Sequence, residues 1–106
     1  MSEVSKLLEA ARALLPRAVA PYSKFRVAAA LEEENGTIYP GVNVESASFG
    51  LTICAERNAL FGALTRGATR FRRIAVVADH ARPVLPCGAC RQVLLEHAPD
   101  LLVLVE

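Results

Sequence analysis

Ile74-Ala75-Val76-Val77-Ala78, then Cys87-Gly88-Ala89-Cys90, then Leu101-Leu102-Val103-Leu104-Val105 is the succession that decides the fold. The first and last runs are short and continuously apolar, which predicts strands buried on both faces. Between them a helix is predicted from around Cys87 to just before Pro99, with His80 to Leu85 as a loop. Strand, helix and strand in that order predict a right-handed parallel crossover.

The rest of the chain extends this pattern. A second helix is predicted from near Cys54 to near Arg66, closed by Gly67, because glycine adopts the left-handed conformation that ends helices. Asn43 to Ile53 is polar and rich in small residues, and reads as a loop. Phe25 to Leu31 reads as a strand with Phe25, Val27, Ala29 and Leu31 on one face. Glu34-Asn35-Gly36 is a hairpin signal, since Asn-Gly tolerates positive φ. A second strand follows over about Thr37 to Val42, where Pro40 suits an edge or an irregularity. At the N-terminus Leu7, Leu8, Ala11, Leu14 and Leu15 recur at helical spacing. They predict a helix from about Glu3 to Leu15, with Ser2 as N-cap and Pro16 as a stop. The fold class is therefore α/β: one domain over residues 1–106, in three layers around a mixed sheet.

With 106 residues, 53% of them hydrophobic, the chain can bury one core. A formal net charge of +1 gives no bulk attraction to nucleic acid or to an anionic membrane, and neither is expected as a partner. Arg66, Arg70, Arg72 and Arg73 cluster, and read as a solvated loop and strand edge. Glu3, Lys6, Glu9 and Arg12 interrupt any apolar signal segment between Met1 and Leu15. No apolar run approaches the ~20 residues needed to cross a bilayer. A cytoplasmic location is expected, where thiols stay reduced. The odd cysteine count argues against a disulfide framework.

All three cysteines fall in Cys54-Ala55-Glu56-Arg57 and Pro86-Cys87-Gly88-Ala89-Cys90. Structural zinc sites are closed by four protein ligands, whereas catalytic sites keep three and leave a position for water. Three cysteines with a glutamate two residues after the first point to metal-assisted hydrolysis. Both motifs sit at predicted helix starts, where the dipole and free N–H groups favour thiolate. Cys87 and Cys90 share a helical face. Three thiolates and Zn2+ sum to −1, and Arg57 is placed to donate to thiolate sulfur and offset that charge. Arg91 is a second candidate for this role, and a solvated helix arginine is the plainer reading of either. Cys87-Gly88-Ala89-Cys90 also suits a thioredoxin-type dithiol, but that reading leaves Cys54 and Glu56 unexplained. His80, in a loop, and His97, near a helix C-terminus, are weak metal ligands by position.

Together with Pro21-Tyr22-Ser23-Lys24-Phe25 and Asn43-Val44-Glu45, these motifs resemble the cytidine deaminases of the small, tetrameric, three-cysteine type. The cysteine signature is that of zinc deaminases. The resemblance runs from Pro21 to Val105. It implies zinc on Cys54, Cys87 and Cys90, and deamination of cytidine and deoxycytidine to uridine and deoxyuridine in pyrimidine salvage. Glu56 would take a proton from the activated water, pass it to the pyrimidine N3 and protonate the leaving amine. Asn43 and Glu45 would bind ribose hydroxyls, Phe25 would lie against the base, and the Ala55 backbone carbonyl would accept from the cytosine amine. From the residues alone, Glu56 would be a solvent-facing helix residue, Asn43 and Glu45 a polar turn, and Phe25 core.

The resemblance further implies a homotetramer, in which the loop carrying Ala47 and Phe49 reaches neighbouring sites. Ala28 and Ser46 stand where the family usually has glycine and asparagine. Family members also continue past the position of Glu106 with a strand and a helix that carries a site-closing aromatic, and both are absent from this sequence. Two alternatives remain: a catalytically silent zinc-binding scaffold, and a deaminase of another cytosine-containing nucleoside, of the blasticidin type. Glu45 favours a substrate with a free ribose.

Overall fold

The computed structural model describes residues 2–79 and 86–106, the side chain of Phe49 excepted. Among them are three α-helices, α1 (Glu3–Leu14), α2 (Ala55–Thr65) and α3 (Gly88–His97), and four strands, β1 (Val27–Glu33), β2 (Ile38–Val42), β3 (Phe71–Ala78) and β4 (Leu102–Val105). The sheet order is β2-β1-β3-β4. β1 runs antiparallel to both β2 and β3, and β3 runs parallel to β4. The sheet is mixed, as expected, and α3 makes the crossover between its two parallel strands.

Side chains alternate across a strand, and the sheet uses this to feed two cores. Ala28 and Ala30 of β1, with Ala75 and Val77 of β3, pack against Leu7 and Ala11 of α1. Ala29 and Leu31, with Ile74 and Val76, face Ala55, Ala59, Leu60 and Ala63 of α2 and Leu94 of α3. The three layers follow from this division. The alanines of β1 are wholly buried, and their small volume lets helices approach from both sides.

Caps and turns set the boundaries. Ser2 accepts from the Ser5 amide at 3.1 Å and starts α1. The helix ends at Leu14, and Pro16 lies in a single 3-10 turn, Leu15–Arg17. Gly67, at φ 89°, closes α2 through bonds from its own amide to Leu64 O and from Ala68 N to Ala63 O. In the hairpin only Gly36 takes a positive φ, 93°. Asn35 instead accepts from the Thr37 amide through Oδ1, so the loop is a three-residue turn rather than one with both central residues left-handed. Pro40 does lie on an edge strand, β2.

Four expectations are corrected. β1 begins at Val27 rather than Phe25, because the Asn43 side chain takes the backbone bonds of Phe25 and Val27. β3 begins at Phe71 and lies inside the sheet, so Arg72 and Arg73 are on an interior strand and not at a sheet edge. Arg73 is not simply solvated: its Nε meets Glu32 at 2.6 Å and its terminal nitrogen meets Glu3 at 2.9 Å, tying the start of α1 to the sheet. β4 is an edge strand that leaves Leu102 and Val103 53% and 39% exposed, where burial on both faces was expected. The segment 43–53 also carries order of its own, with bridges joining Val44 to Val19 and to Ile53. The predicted loop His80–Leu85 lies outside the described residues. No helix among the described residues is long and apolar enough to cross a membrane.

One contact controls where α2 sits. A Cβ added at Gly41 of β2 would stand 2.2 Å from the Ala55 carbonyl oxygen and 2.5 Å from the Ala59 nitrogen. Both are backbone atoms that no side-chain rotation can clear. Asn58 of α2 donates to Val42 O at 2.7 Å beside this contact. We predict that Gly41→Ala destabilises the fold by about 1–3 kcal/mol through overpacking, read as a lowered thermal midpoint. An unchanged midpoint would show that α2 moves freely away from β2.

Candidate active site

α2 runs antiparallel to β3 and α3 follows it, so both helix N-termini meet at the C-terminal end of β3. Cys54 is the N-cap of α2 and Cys87 the N-cap of α3. Cys87 accepts from the Cys90 amide at 3.4 Å, which turns its sulfur inward. The three sulfurs fall within 4.8 Å of one another, with Cys54 to Cys87 at 3.5 Å and Cys87 to Cys90 at 3.2 Å. Tetrahedral zinc–sulfur bonds of ~2.3 Å place sulfurs about 3.8 Å apart, so the cluster needs little movement to take the ion. Arg57 donates to Cys54 Sγ at 3.6 Å. Its Nε is buried with no hydrogen-bond partner among the described residues, an arrangement suited to a negatively charged sulfur cluster. Arg91 is turned elsewhere, with its Nε on the Pro86 carbonyl at 3.0 Å, and steadies the entry to α3.

The helix-start argument predicted that the thiol pKa values fall. Cys54 follows it: hydrogen bonding from Cys90, then Arg57 and Cys87, holds it well below the usual thiol range. Cys90 goes the other way, raised because it donates to Cys54 and because it is buried. A divalent cation among the three sulfurs would favour their thiolate forms.

Glu56 is 4% exposed in the first turn of α2. Burial, followed by the charge on Cys54, raises its carboxyl pKa above the ordinary value. A raised carboxyl lies nearer neutrality, where proton transfer in both directions is efficient. Glu56 lines a cleft of about 140 Å3 with Val27, Asn43, Thr52, Cys54, Ala55 and Cys87. An adjoining cleft of about 220 Å3 is lined by Tyr22, Ser23, Glu45 and Thr52. Thr52 belongs to both, so the two form one trough. A larger apolar groove of about 310 Å3 between α3 and β4 includes Leu94, Leu95, Leu101 and Val103, and of the candidate residues only Arg91.

The substrate-side candidates divide between these clefts. Asn43 sits in the first, with Oδ1 accepting from Val27 N at 3.0 Å and Nδ2 donating to Phe25 O at 2.9 Å. Glu45 sits in the second, and Phe25 is half-buried between their segments. Ala55 lines the first cleft, but its carbonyl lies against Gly41 of β2. Ala47 is exposed. His97 ends α3, and His80 lies outside the described residues. Sequence reasoning gave no part to Thr52, Val27, Tyr22 or Ser23. Only Pro21-Tyr22-Ser23-Lys24-Phe25 carried a signal for the last two, as neighbours of Phe25.

The profile of the family described as cytidine and deoxycytidylate deaminase zinc-binding region matches residues 1–106. A cytidine deaminase of Sporosarcina psychrophila is 50% identical over 94 residues, covering 89% of this chain and 69% of that protein. One of Halalkalibacterium halodurans is 56% identical over 82 residues, covering 77% of this chain and 62% of that protein. Among solved structures, a cytidine deaminase from Burkholderia pseudomallei superposes with a TM-score of 0.91 at 48% identity, covering 99% of this chain and 84% of that one. The chain belongs to the cytidine and deoxycytidylate deaminase family, with zinc as cofactor and a three-cysteine cluster suited to hold it.

Proposed function

We propose that this chain hydrolyses cytidine and deoxycytidine to uridine and deoxyuridine with release of ammonia, a step of pyrimidine salvage. The observation that carries this reading is a buried carboxylate, Glu56, sharing a cleft with three clustered thiols. Cys54, Cys87 and Cys90 would hold the zinc ion, which when bound would supply Lewis acidity that brings the pKa of a water toward about 7. Glu56 would take one proton from a water and pass it to N3 of the pyrimidine as the water oxygen bonds to C4, and would then carry the second proton, from the new C4 hydroxyl, to the amine as the C4–N bond breaks and ammonia leaves. Its burial keeps bulk water from competing for the proton. Arg57 offsets the thiolate charge that would otherwise blunt the metal.

The base lies in the cleft of Glu56, and the sugar extends past Thr52 toward Glu45. An amide has two N–H groups and two oxygen lone pairs. Phe25 and Val27 use one of each on Asn43, leaving the others for a sugar hydroxyl. Phe25 is held beside the base by the same bonds. Ala55 lines the cleft of Glu56, and its carbonyl is the acceptor for the cytosine amine in this reading. Glu45 supports a ribose-bearing substrate over the blasticidin type. Reduced thiols suit a cytoplasmic setting.

The assembly is a homotetramer in this reading. Ala47 and Leu51 are exposed, Leu51 to 70%, which suits a surface that a second copy covers. Sedimentation of the zinc-loaded protein is expected to give a four-chain mass, and Leu51→Arg to reduce it. A monomer mass at micromolar concentration would end this part of the reading.

Two variants test the chemistry. Glu56→Gln keeps the shape but loses the proton carrier, so turnover of cytidine should fall by about 10²–10⁴-fold while zinc content stays at the parent value. A variant with substantial turnover would remove Glu56 from the mechanism. Cys90→Ala should lose bound zinc by elemental analysis, whereas full zinc content would show that the ligands lie elsewhere. A Glu56-dependent loss of ammonia release also separates the enzyme from a silent scaffold.

A further inference from the structure

We propose that Ser23 is a positioning residue for the sugar end of the trough, setting the grip of Glu45 on one sugar hydroxyl. This rests on the reading of Glu45 as the sugar-binding acid.

Glu45 follows β2 on a segment that no helix or strand rigidifies, yet its carboxylate is fully oriented. Oε1 accepts from the Tyr22 and Ser23 amides, each at 3.1 Å. Oε2 accepts from the Ser23 hydroxyl. The Glu45 amide donates to Val19 O at 2.9 Å. A carboxylate offers about four lone-pair positions, and among the described residues the Tyr22–Ser23 turn fills three. One acceptor position is left, on the oxygen that Ser23 holds. Glu45 is thereby a receptor for one hydroxyl and not for a pair.

The Ser23 hydroxyl has one donor and two acceptor positions. Its oxygen accepts from the Phe25 amide at 3.0 Å, which leaves the hydrogen to point at Glu45. The turn is held in an uncommon shape to allow this. Lys24 takes φ 60°, a region that non-glycine residues seldom enter, and its amide donates to Ala20 O at 3.0 Å. Such conformations persist where surrounding contacts over-determine them, often at ligand clamps. Hydrogen bonding from Ser23 also keeps the Glu45 carboxyl below its ordinary pKa, so the acceptor stays ionised.

The test compares kcat/KM for deoxycytidine with that for 2′,3′-dideoxycytidine, which lacks the sugar hydroxyl in question. Parent enzyme, Ser23→Ala, Ser23→Thr and Glu45→Gln are measured, with zinc content and thermal midpoint recorded for each. The parent should prefer deoxycytidine. Ser23→Ala should shrink that preference about tenfold, through KM for deoxycytidine rather than kcat, the size of one charge-assisted hydrogen bond. Ser23→Thr, which keeps the hydroxyl, should restore it. If Ser23→Ala keeps the full preference while Glu45→Gln loses it, the role of Ser23 is overturned and that of Glu45 stands. If both variants keep the full preference, the sugar-binding reading of Glu45 falls, and this proposal with it. If Ser23→Ala lowers both substrates equally, the contact is a structural one and the proposal is wrong.

Discussion

The backbone contact between Gly41 and the first turn of α2 is the constraint on which the site depends. α2 supplies Cys54, Glu56 and Arg57, and β2 leads directly into Asn43 and Glu45. The distance between metal-side and sugar-side groups is therefore set where these two elements touch. A side chain at position 41 would wedge them apart at the Ala55 carbonyl. The Asn58 bond to Val42 O closes the same joint from the other side. The site is built on the inner face of an edge strand, where a helix can reach backbone atoms as well as side chains.

Topology brings the thiols together before any metal does. The N-termini of α2 and α3 converge at one end of β3, and each contributes partial positive charge and free N–H groups. That field favours thiolate, but three sulfurs within 4.8 Å resist ionising together. The opposed shifts of Cys54 and Cys90 come first from the hydrogen bond between them, which favours thiolate on Cys54 and the proton on Cys90. A divalent cation would favour thiolate on all three, which makes the metal-binding site a product of fold electrostatics as much as of ligand identity. Burial first, and then the charge on Cys54, raises the pKa of Glu56 beside the sulfurs.

Much of this was legible in the sequence because it rests on short-range rules. Apolar runs, Ser2, Gly67 and the two cysteine motifs each carry a local signal, and each placed its element within a few residues. What was missed depends on contacts distant in sequence. Phe25 belongs to no strand because Asn43 occupies its partner's place. Arg73 is tied down because Glu3 and Glu32 reach it from two other elements. Arg57 stands three positions after Cys54 and Arg91 one after Cys90, and only the fold shows that the first meets sulfur and the second a carbonyl. The apolar run of β4 reads as two-sided burial, whereas the family resemblance implies an uncovered strand in need of a partner, and the exposed edge agrees with the second.

The sugar side follows a different logic from the metal side. Cys54, Cys87 and Glu56 are fixed by helix geometry, whereas Glu45 and Phe25 lie on segments outside the helices and strands, with only isolated bridges at Val44. There the polar side chains take over the work of secondary structure. Asn43 pairs with Phe25 and Val27 as a neighbouring strand would, and the Glu45 carboxylate gathers the amides of Tyr22 and Ser23 as a backbone carbonyl would. Residues that hold the loops in this way spend most of their hydrogen-bonding capacity on the protein itself. What they have left is small and directional, and in the proposed reading this is what would let an irregular segment discriminate between sugars that differ by a single hydroxyl.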